Sequence, residues 1–299
     1  MHTERSDALL AGFTAKDYTV NGTSIHVALA GTGPPVLLLH GYPQTHAMWH
    51  AVAPFLAERY TVVCPDLRGY GDSAKPRADE SHEPYSKRTL ARDQLELMRV
   101  LGFDRFSVVG HDRGARVARR LALDHPNAVT CLGLLDIVPT AVVYGALDQQ
   151  RATTVWRYFF LVQPAELPER LIGADPRFYL RSTFEEWSGT SGVPTERALA
   201  EYERCFDVET VHASCEDYRA GATIDLEHDA ADAQSAISCP VLVLWSSHGV
   251  GRSYDVLSIW RREALDVHGN ALDCGHFLAE ERPDEVLAQL ISFLGSHAR

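Results

Sequence analysis

The stretch Val108-Val-Gly-His-Asp112-Arg-Gly114 is an apolar run that enters a Gly-x-Asp-x-Gly turn and continues into a segment with helical spacing. The related Gly-x-Ser-x-Gly turn joins a strand to a helix so tightly that its central side chain stands exposed above the sheet. Glycines permit such a backbone, and the N-terminus of the following helix favours a negative charge. The sequence therefore predicts a nucleophilic carboxylate at Asp112. The alternative is that Asp112 only caps the helix.

Apolar runs recur on both sides of this turn, and each is followed by a turn and a helix-like segment. They are residues 35–40, 60–64, 106–110, 129–135 and 240–245, with a weaker candidate at 264–268. Apolar strands that alternate with helices are typical of a parallel sheet covered by helices on both faces. Residues 17–31 alternate in polarity around an Asn-Gly turn, which indicates a hairpin at the sheet edge. The predicted fold class is therefore α/β, with a mostly parallel sheet.

The alternation of strands and helices stops between residues 139 and 232, where aromatic and charged residues follow a helical spacing. Helices inserted between two strands of an open parallel sheet lie over the carboxyl ends of the strands, where such sheets bind ligands. We therefore predict an inserted helical cap at residues 139–232. The core then consists of residues 1–138 and 233–299.

Composition excludes several classes of function. The formal net charge of −12 argues against a nucleic-acid-binding protein, which needs clustered Lys and Arg. No stretch approaches the ~20 apolar residues that span a bilayer, and the N-terminus lacks the apolar segment of a signal peptide. The six cysteines form no CxxC pair, which favours reduced thiols over disulfides or a zinc site. We expect a cytoplasmic protein that binds neither membranes nor nucleic acid and needs no metal or organic cofactor.

Two further residues complete a candidate catalytic triad with Asp112. His276 lies shortly before a final helix that begins near Pro283, and the order nucleophile, acid, histidine is that of enzymes with the related serine turn. Residues 246–251, directly after the run 240–245, offer no carboxylate. Asp136 instead ends the preceding run, and a carboxylate buried there requires a partner. We predict that Asp136 orients His276, which acts as the base.

Backbone amides near the turn are candidates for an oxyanion hole. The segment His40-Gly-Tyr-Pro43 directly follows an apolar run. In the related enzymes this loop and the residue after the nucleophile supply the two N–H donors. The prediction falls on the backbone N–H groups of Tyr42 and Arg113, while an ordinary Gly-Pro turn is the alternative.

Four arginines follow the turn. Arg113 and Arg116 are spaced i, i+3 at the start of the helix, and two guanidinium groups beside the nucleophile suit bidentate capture of a substrate carboxylate. Surface charge is the alternative for this pair. Arg119 and Arg120 continue the run, and we expect both to face solvent.

Assembled in this way, the chain resembles the fluoroacetate (haloacetate) dehalogenases of the α/β-hydrolase superfamily over nearly its whole length. The motifs that carry the resemblance are His40-Gly-Tyr-Pro-Gln-Thr-His46, His111-Asp-Arg-Gly-Ala-Arg116, Leu135-Asp-Ile-Val-Pro-Thr140, Cys215-Glu-Asp-Tyr-Arg-Ala-Gly-Ala222 with Glu227-His-Asp229, and Gly275-His-Phe-Leu-Ala-Glu-Glu281. The resemblance implies an α/β-hydrolase fold, a homodimer and the triad and arginine roles given above. The implied reaction cleaves the carbon–halogen bond of a haloacetate or small 2-haloacid through an ester on the nucleophile, which yields a 2-hydroxy acid and halide.

The halide pocket departs from the family pattern. The family has a Tyr that Tyr218 matches, and a His-Trp pair whose positions hold Arg157 and Tyr158 here. All three can donate hydrogen bonds to an anion, so the resemblance implies that they bind the halide. Their different shapes favour chloroacetate, bromoacetate or a bulkier 2-haloacid over fluoroacetate. Trp156 and Trp187 are expected to line the cap side of the pocket.

Two other functions stay open. Paired cap tyrosines opposite an Asp nucleophile also resemble epoxide hydrolases, in which the tyrosines protonate the epoxide oxygen. The arginine pair argues against this function, because a neutral epoxide gives the two charges nothing to bind. The other possibility is a ligand-binding member of the fold without catalysis, against which the intact triad argues.

Overall fold

A computed structural model describes residues 5–7, 9–145 and 148–298. Its described strands form one sheet in the order β1-β2-β3-β5-β4-β6-β7-β8-β9. Their bounds are β1 (Arg5–Ser6), β2 (Thr14–Val20), β3 (Thr23–Ala30), β4 (Pro35–Leu39), β5 (Thr61–Pro65), β6 (Phe106–His111), β7 (Val129–Leu135), β8 (Val241–Ser246) and β9 (Val267–Leu272). Strands β4 to β9 pair in parallel, while β1, β2 and β3 pair antiparallel. The predicted mostly parallel sheet is confirmed.

The hairpin predicted for residues 17–31 is formed by β2 and β3. Its two turn residues, Asn21 and Gly22, have φ angles of 45° and 72°. Positive φ at both positions matches the twist of the flanking strands in a two-residue hairpin loop. At the other end of the sheet, the weaker candidate at 264–268 corresponds to β9, which begins at Val267.

The helices of the described chain belong either to the segment between β7 and β8 or to the rest of the chain. Their bounds are α1 (Ala53–Leu56), α2 (Lys87–Val100), α3 (Arg113–Asp124), α4 (Thr140–Gly145), α5 (Gln149–Thr154), α6 (Trp156–Leu161), α7 (Leu167–Gly173), α8 (Pro176–Trp187), α9 (Glu196–Cys205), α10 (Val208–Ala222), α11 (Ile224–Ala231), α12 (Val250–Ser253), α13 (Val256–Trp260), α14 (Leu278–Glu281) and α15 (Pro283–His297). Helices α4 to α11 all lie between β7 and β8. We refer to residues 139–232 as the cap segment.

The sheet is buried on both faces. All residues of β6 are buried, and successive side chains of a strand point to opposite faces. Val108 and Val109, on opposite faces, are both 0% exposed, so helices cover both sides of the central strands. The six cysteines are also buried and unpaired. In the part of the chain that the structure describes, every helix is too short or too polar to cross a membrane.

Candidate active site

Asp112 occupies the turn between β6 and α3. Its φ of 47° and ψ of −115° are unusual for a residue with a side chain, and such a backbone costs about 1–3 kcal/mol. The turn is tight because the chain passes close to another loop: a Cβ on Gly114 would lie 2.2 Å from the carbonyl oxygen of His40. Local sequence thus holds the carboxylate at the carboxyl end of the central strand.

The Asp112 carboxylate is held from two sides. Its Oδ1 accepts a hydrogen bond of 2.9 Å from the backbone N–H of Tyr42, and its Oδ2 lies 3.9 Å from Nε2 of His276. Burial by itself raises the pKa of a carboxyl group. Here the surrounding positive charges, that of His276 foremost, outweigh burial and hold the pKa of Asp112 below its ordinary value. The carboxylate is therefore ionised at neutral pH.

His276 is hydrogen-bonded to Asp136. The distance from His276 Nδ1 to Asp136 Oδ2 is 2.6 Å, and Asp136 Oδ1 accepts a second hydrogen bond of 2.8 Å from the N–H of Ser246. Burial disfavours the charged imidazole, but the hydrogen bond and charge of Asp136 outweigh it and raise the pKa of His276. Because Nδ1 is bound to the acid, Nε2 is the nitrogen that faces Asp112. The three residues predicted as a triad thus lie together.

The loop that carries His276 is clamped between core and cap. The N–H of His276 donates to the carbonyl of Trp187 at 2.8 Å, while the N–H groups of Gly275 and Gly189 both donate to Oε2 of Glu281 at 2.9 Å. A Cβ on Gly275 would lie 2.1 Å from the nitrogen of Gly189, so the two loops touch. No sequence pattern singles out Glu281 for this task, although it closes the motif that contains His276.

Arg116 is buried with two unpaired donors. Its Nη2 donates to the hydroxyl of Tyr158 at 2.9 Å and approaches the carbonyl of Val138 at 3.4 Å. Its Nε and Nη1 are buried and make no hydrogen bond within the described residues. The side chain is 4% exposed and lines the same cavity as Asp112. A buried guanidinium group with free N–H donors suits an anionic ligand.

Arg113 lies differently from Arg116. Its Nε and Nη2 donate to Oδ2 and the carbonyl oxygen of Asp217 at 2.7 and 2.5 Å, and its guanidinium lies 4.1 Å from the centre of the Tyr218 ring. Asp217 also accepts hydrogen bonds from Lys87 and Tyr70. These contacts join cap helix α10 to α2 and α3 of the core. The structure therefore places Arg113 behind Tyr218, whereas Arg116 faces the cavity; the role of Asp217 is not apparent from the sequence.

The expectation that Arg119 and Arg120 face solvent is wrong. Arg120 is 2% exposed, and its guanidinium pairs with Asp229 and Asp232 at 2.6 Å. Arg119 pairs with Asp229 at 2.7 Å and with Glu263 at 2.6 Å. Helix α11 of the cap brings its acids onto this face of α3. This run of charged residues, for which the sequence predicts a solvent-exposed surface, forms an ion-pair network between cap and core.

A cavity of about 560 Å³ adjoins the triad. The candidate site residues that line it are Asp112, Arg116, Asp136, Arg157, Tyr158, Trp187 and His276. Arg157 is 2% exposed and pairs with Glu186 at 2.8 Å, while its Nε makes no hydrogen bond within the described residues. Tyr218 lies behind this lining, with its ring 5.2 Å from that of Tyr158. Trp156 is 39% exposed and stacks on Arg157 at 4.5 Å, outside the lining.

Comparison with known proteins gives relatives that match over nearly the full length. Residues 34–283 match the α/β-hydrolase fold family. A fluoroacetate dehalogenase from Burkholderia sp is 43% identical over 290 residues, which cover 96% of this chain and 95% of the relative. A soluble epoxide hydrolase from Corynebacterium sp. (strain C12) is 36% identical over 279 residues, 92% of this chain and 94% of the relative. The solved structure of ALR0039 from Nostoc sp PCC 7120 is 55% identical, superposes with a TM-score of 0.93 and covers 94% of this chain and 98% of its own. These relatives confirm the resemblance predicted from the motifs.

Proposed function

The chain belongs to the α/β-hydrolase family, and we propose that it is a dehalogenase that hydrolyses haloacetates or small 2-haloacids. The observation that carries the proposal is a buried, ionised carboxylate in the same cavity as a buried guanidinium group, two of whose donors have no partner among the described residues. An Asp nucleophile at Asp112 attacks carbon and forms an ester. Arg116 supplies the charge that favours an anionic substrate over a neutral one. The 43% identity to a fluoroacetate dehalogenase supports the same choice.

In the first step, Arg116 binds the substrate carboxylate through Nε and Nη1. This contact places the carbon that carries the halogen in line with Asp112, which supplies the advantage of orientation. Oδ2 of Asp112 attacks, because Oδ1 is occupied by the N–H of Tyr42. The Oδ2–carbon bond forms as the carbon–halogen bond breaks, and halide leaves with the electron pair. Arg113, fixed by Asp217, adds positive charge near the nucleophile.

The departing halide is bound from the cap side. Tyr158 and Arg157 line the cavity, and both can donate hydrogen bonds to an anion. Tyr218 lies behind this wall and packs against the Tyr158 ring. Trp187 packs edge-on against the ring of His276 at 5.1 Å and shields it from bulk water. We place halide release on this wall of the cavity.

In the second step, His276 removes a proton from a water molecule that attacks the ester carbonyl of Asp112. Negative charge then develops on Oδ1, which the N–H of Tyr42 stabilises from 2.9 Å. Collapse breaks the bond between Cγ and Oδ2, His276 returns its proton to the leaving alkoxide, and the 2-hydroxy acid departs with Oδ2. The carboxyl group of Asp112 now carries one oxygen from water, and it releases its remaining proton to solvent, which restores the carboxylate.

Single-turnover hydrolysis in ¹⁸O-labelled water tests this route. With enzyme in excess over chloroacetate, the product glycolate should carry unlabelled oxygen, while the label appears in the peptide that contains Asp112. Direct attack of water on the substrate carbon would place the label in glycolate at the first turnover and contradict the ester route. Absence of halide release from fluoro-, chloro- and bromoacetate and from small 2-haloacids alike would contradict the proposed function itself.

Epoxide hydrolysis is the second candidate. The observation in its favour is the hydroxyl of Tyr158 in the wall of the cavity, beside the ring of Tyr218, together with the 36% identity to a soluble epoxide hydrolase. The buried charge of Arg116 argues against it, because a neutral epoxide leaves that charge without a partner. Rapid diol formation from styrene oxide with negligible halide release from haloacids would make this the better assignment.

A further inference from the structure

The cavity is larger than a haloacetate requires. Its volume of about 560 Å³ lies within the range of roughly 300–1,000 Å³ that proteins use for drug-sized ligands. A haloacetate, with its handful of heavy atoms, fills only the end that contains Asp112, Arg116 and His276. The remaining space can therefore hold a larger substituent of the substrate.

A second set of residues lines the same cavity beside the candidate catalytic groups. We define the distal lobe by the lining residues Val143, Val155, Val250, Ser253 and Tyr254. The first two belong to the cap segment and the last three to the core. The valines give the lobe apolar walls, so it suits a hydrocarbon group.

A cap residue joins the two sides of the distal lobe. Arg151 of α5 donates from Nη2 to the carbonyl oxygen of Ser253 at 3.1 Å, and its guanidinium lies 5.3 Å from the centre of the Tyr254 ring. These two contacts hold α5 of the cap against the end of α12 and the residue that follows it. The lobe is thus a built part of the interface between cap and core.

One polar atom in the distal lobe lacks a partner. The hydroxyl oxygen of Tyr254 is buried and makes no hydrogen bond within the described residues. A buried hydroxyl that stays unpaired is costly, and an acceptor supplied by a ligand removes that cost. The hydroxyl can donate to a carboxylate or to an uncharged oxygen, and the valine walls favour the uncharged one, because a second carboxylate would be desolvated against them.

We propose that the distal lobe binds the C2 substituent of a 2-haloacid larger than haloacetate. That substituent is a short apolar chain bearing an uncharged hydrogen-bond acceptor, such as an ether oxygen, which meets the Tyr254 hydroxyl. This inference rests on the proposed dehalogenation at Asp112 and names the substrate class of that site.

Matched pairs of substrates test the hydrogen bond. In 2-chloro-3-methoxypropanoate and 2-chloro-4-methoxybutanoate, an ether oxygen replaces one methylene of 2-chloropentanoate and 2-chlorohexanoate. The native enzyme should favour the ether in one pair or both, as measured by kcat/KM for chloride release. Tyr254→Phe should reduce that preference about three- to tenfold, because it removes only the hydroxyl. Tyr18→Phe, on strand β2, is the matched control and should leave the preference unchanged.

A lobe-filling variant tests the space independently of the hydrogen bond. Val250→Phe should lower kcat/KM for 2-chlorohexanoate relative to chloroacetate about tenfold or more, while Tyr254→Phe should leave that ratio close to native. Chloride release from chloroacetate without measurable release from any longer acid would overturn the inference and spare the proposed function. So would an ether preference that is absent from the native enzyme or unchanged by Tyr254→Phe. Failure of every haloacid would overturn both.

Discussion

The core side and the cap side of the cavity are built in different ways. On the core side, Asp112 and Asp136 follow adjacent parallel strands in register, since the N–H of Asp112 donates to Leu135 and that of Asp136 donates to Leu244. Their proximity follows from strand order. On the cap side, contacts such as that between Arg113 and Asp217 depend on how the cap helices dock. Local sequence thus specifies the core side, and tertiary packing specifies the cap side.

The largest effect should come from the core. We expect Asp112→Asn to abolish turnover, because an amide cannot displace the halide. Halide electrodes and ion chromatography on freshly purified variant provide the measurement. Substantial halide release, with deamidation excluded by intact mass, would remove Asp112 from its proposed role and place the nucleophile elsewhere.

The second core residue should separate the two steps. His276→Asn should permit displacement but block hydrolysis, so that one equivalent of halide is released and the ester remains on Asp112. Mass spectrometry of the intact protein, followed by peptide mapping, should detect that ester. An inactive variant that stays unmodified would mean that His276 also acts before the ester forms.

Acidic pH should separate displacement from hydrolysis in the native enzyme in the same way. His276 must be neutral to accept a proton, and its pKa lies above the ordinary value of 6.5, so turnover should fall as pH decreases through that raised pKa. Asp112 has a pKa below its ordinary 3.8 and remains ionised. At about pH 5, rapid quench should therefore show a halide burst near one equivalent, then little turnover. A burst that disappears together with turnover would show that displacement itself requires neutral His276.

The next prediction concerns the two arginines Arg113 and Arg116, which lie at the boundary between core and cap. Arg116→Leu should lower kcat/KM for chloroacetate about 10- to 100-fold, since a hydrogen bond to a charged group contributes ~1.5–3 kcal/mol. Chloroacetamide, which lacks the negative charge, should be a poor substrate for the native enzyme and lose little further. Arg113→Leu should also weaken the packing of α10 against the core, because Asp217 loses the two hydrogen bonds that it accepts from Arg113.

The exposed Arg99→Leu on α2 is the matched control for charge removal and should change neither quantity. Equal losses with chloroacetate and chloroacetamide in Arg116→Leu would show that Arg116 supports the structure of the cavity without recognising a carboxylate. Thermal melts of the three variants separate that effect from loss of folding.

The success of prediction from sequence differs in the same way between the core side and the cap side of the cavity. The apolar runs and the turn at Asp112 are local patterns, and they locate the strands and the three residues of the predicted triad. The run from Arg113 to Arg120 looks uniform in sequence, yet one arginine lines the cavity and the others pair with acids more than 90 residues away. Those partners lie on α10, α11 and the segment before β9. No local pattern encodes which cap acid meets which arginine, so the burial of Arg120 and the task of Asp217 emerge only from the docked cap.

The smallest expected effect concerns Glu281, which connects the core side and the cap side of the cavity. Its Oε2 accepts hydrogen bonds from the N–H groups of Gly189 in the cap segment and Gly275 beside His276, and its Oε1 accepts one from Phe277 at 3.1 Å. Glu281→Gln replaces one oxygen with an NH₂ group that cannot accept, so at least one N–H loses its partner. We expect the free energy of unfolding to fall by about 1.5–3 kcal/mol, measured in urea.

Loosening this clamp should also lower kcat only a few-fold, because the hydrogen bond from His276 to Asp136 does not involve Glu281. The halide burst should keep its amplitude, since displacement precedes the histidine-dependent step. Glu285→Gln, an exposed acid on α15, is the matched control and should change stability by less than about 0.5 kcal/mol. If Glu281→Gln instead reduced the amplitude of the halide burst by a factor similar to the loss of kcat/KM in Arg116→Leu, the contact between core and cap at Glu281 would control substrate binding. Core and cap would then act as one unit in the first step as well as the second.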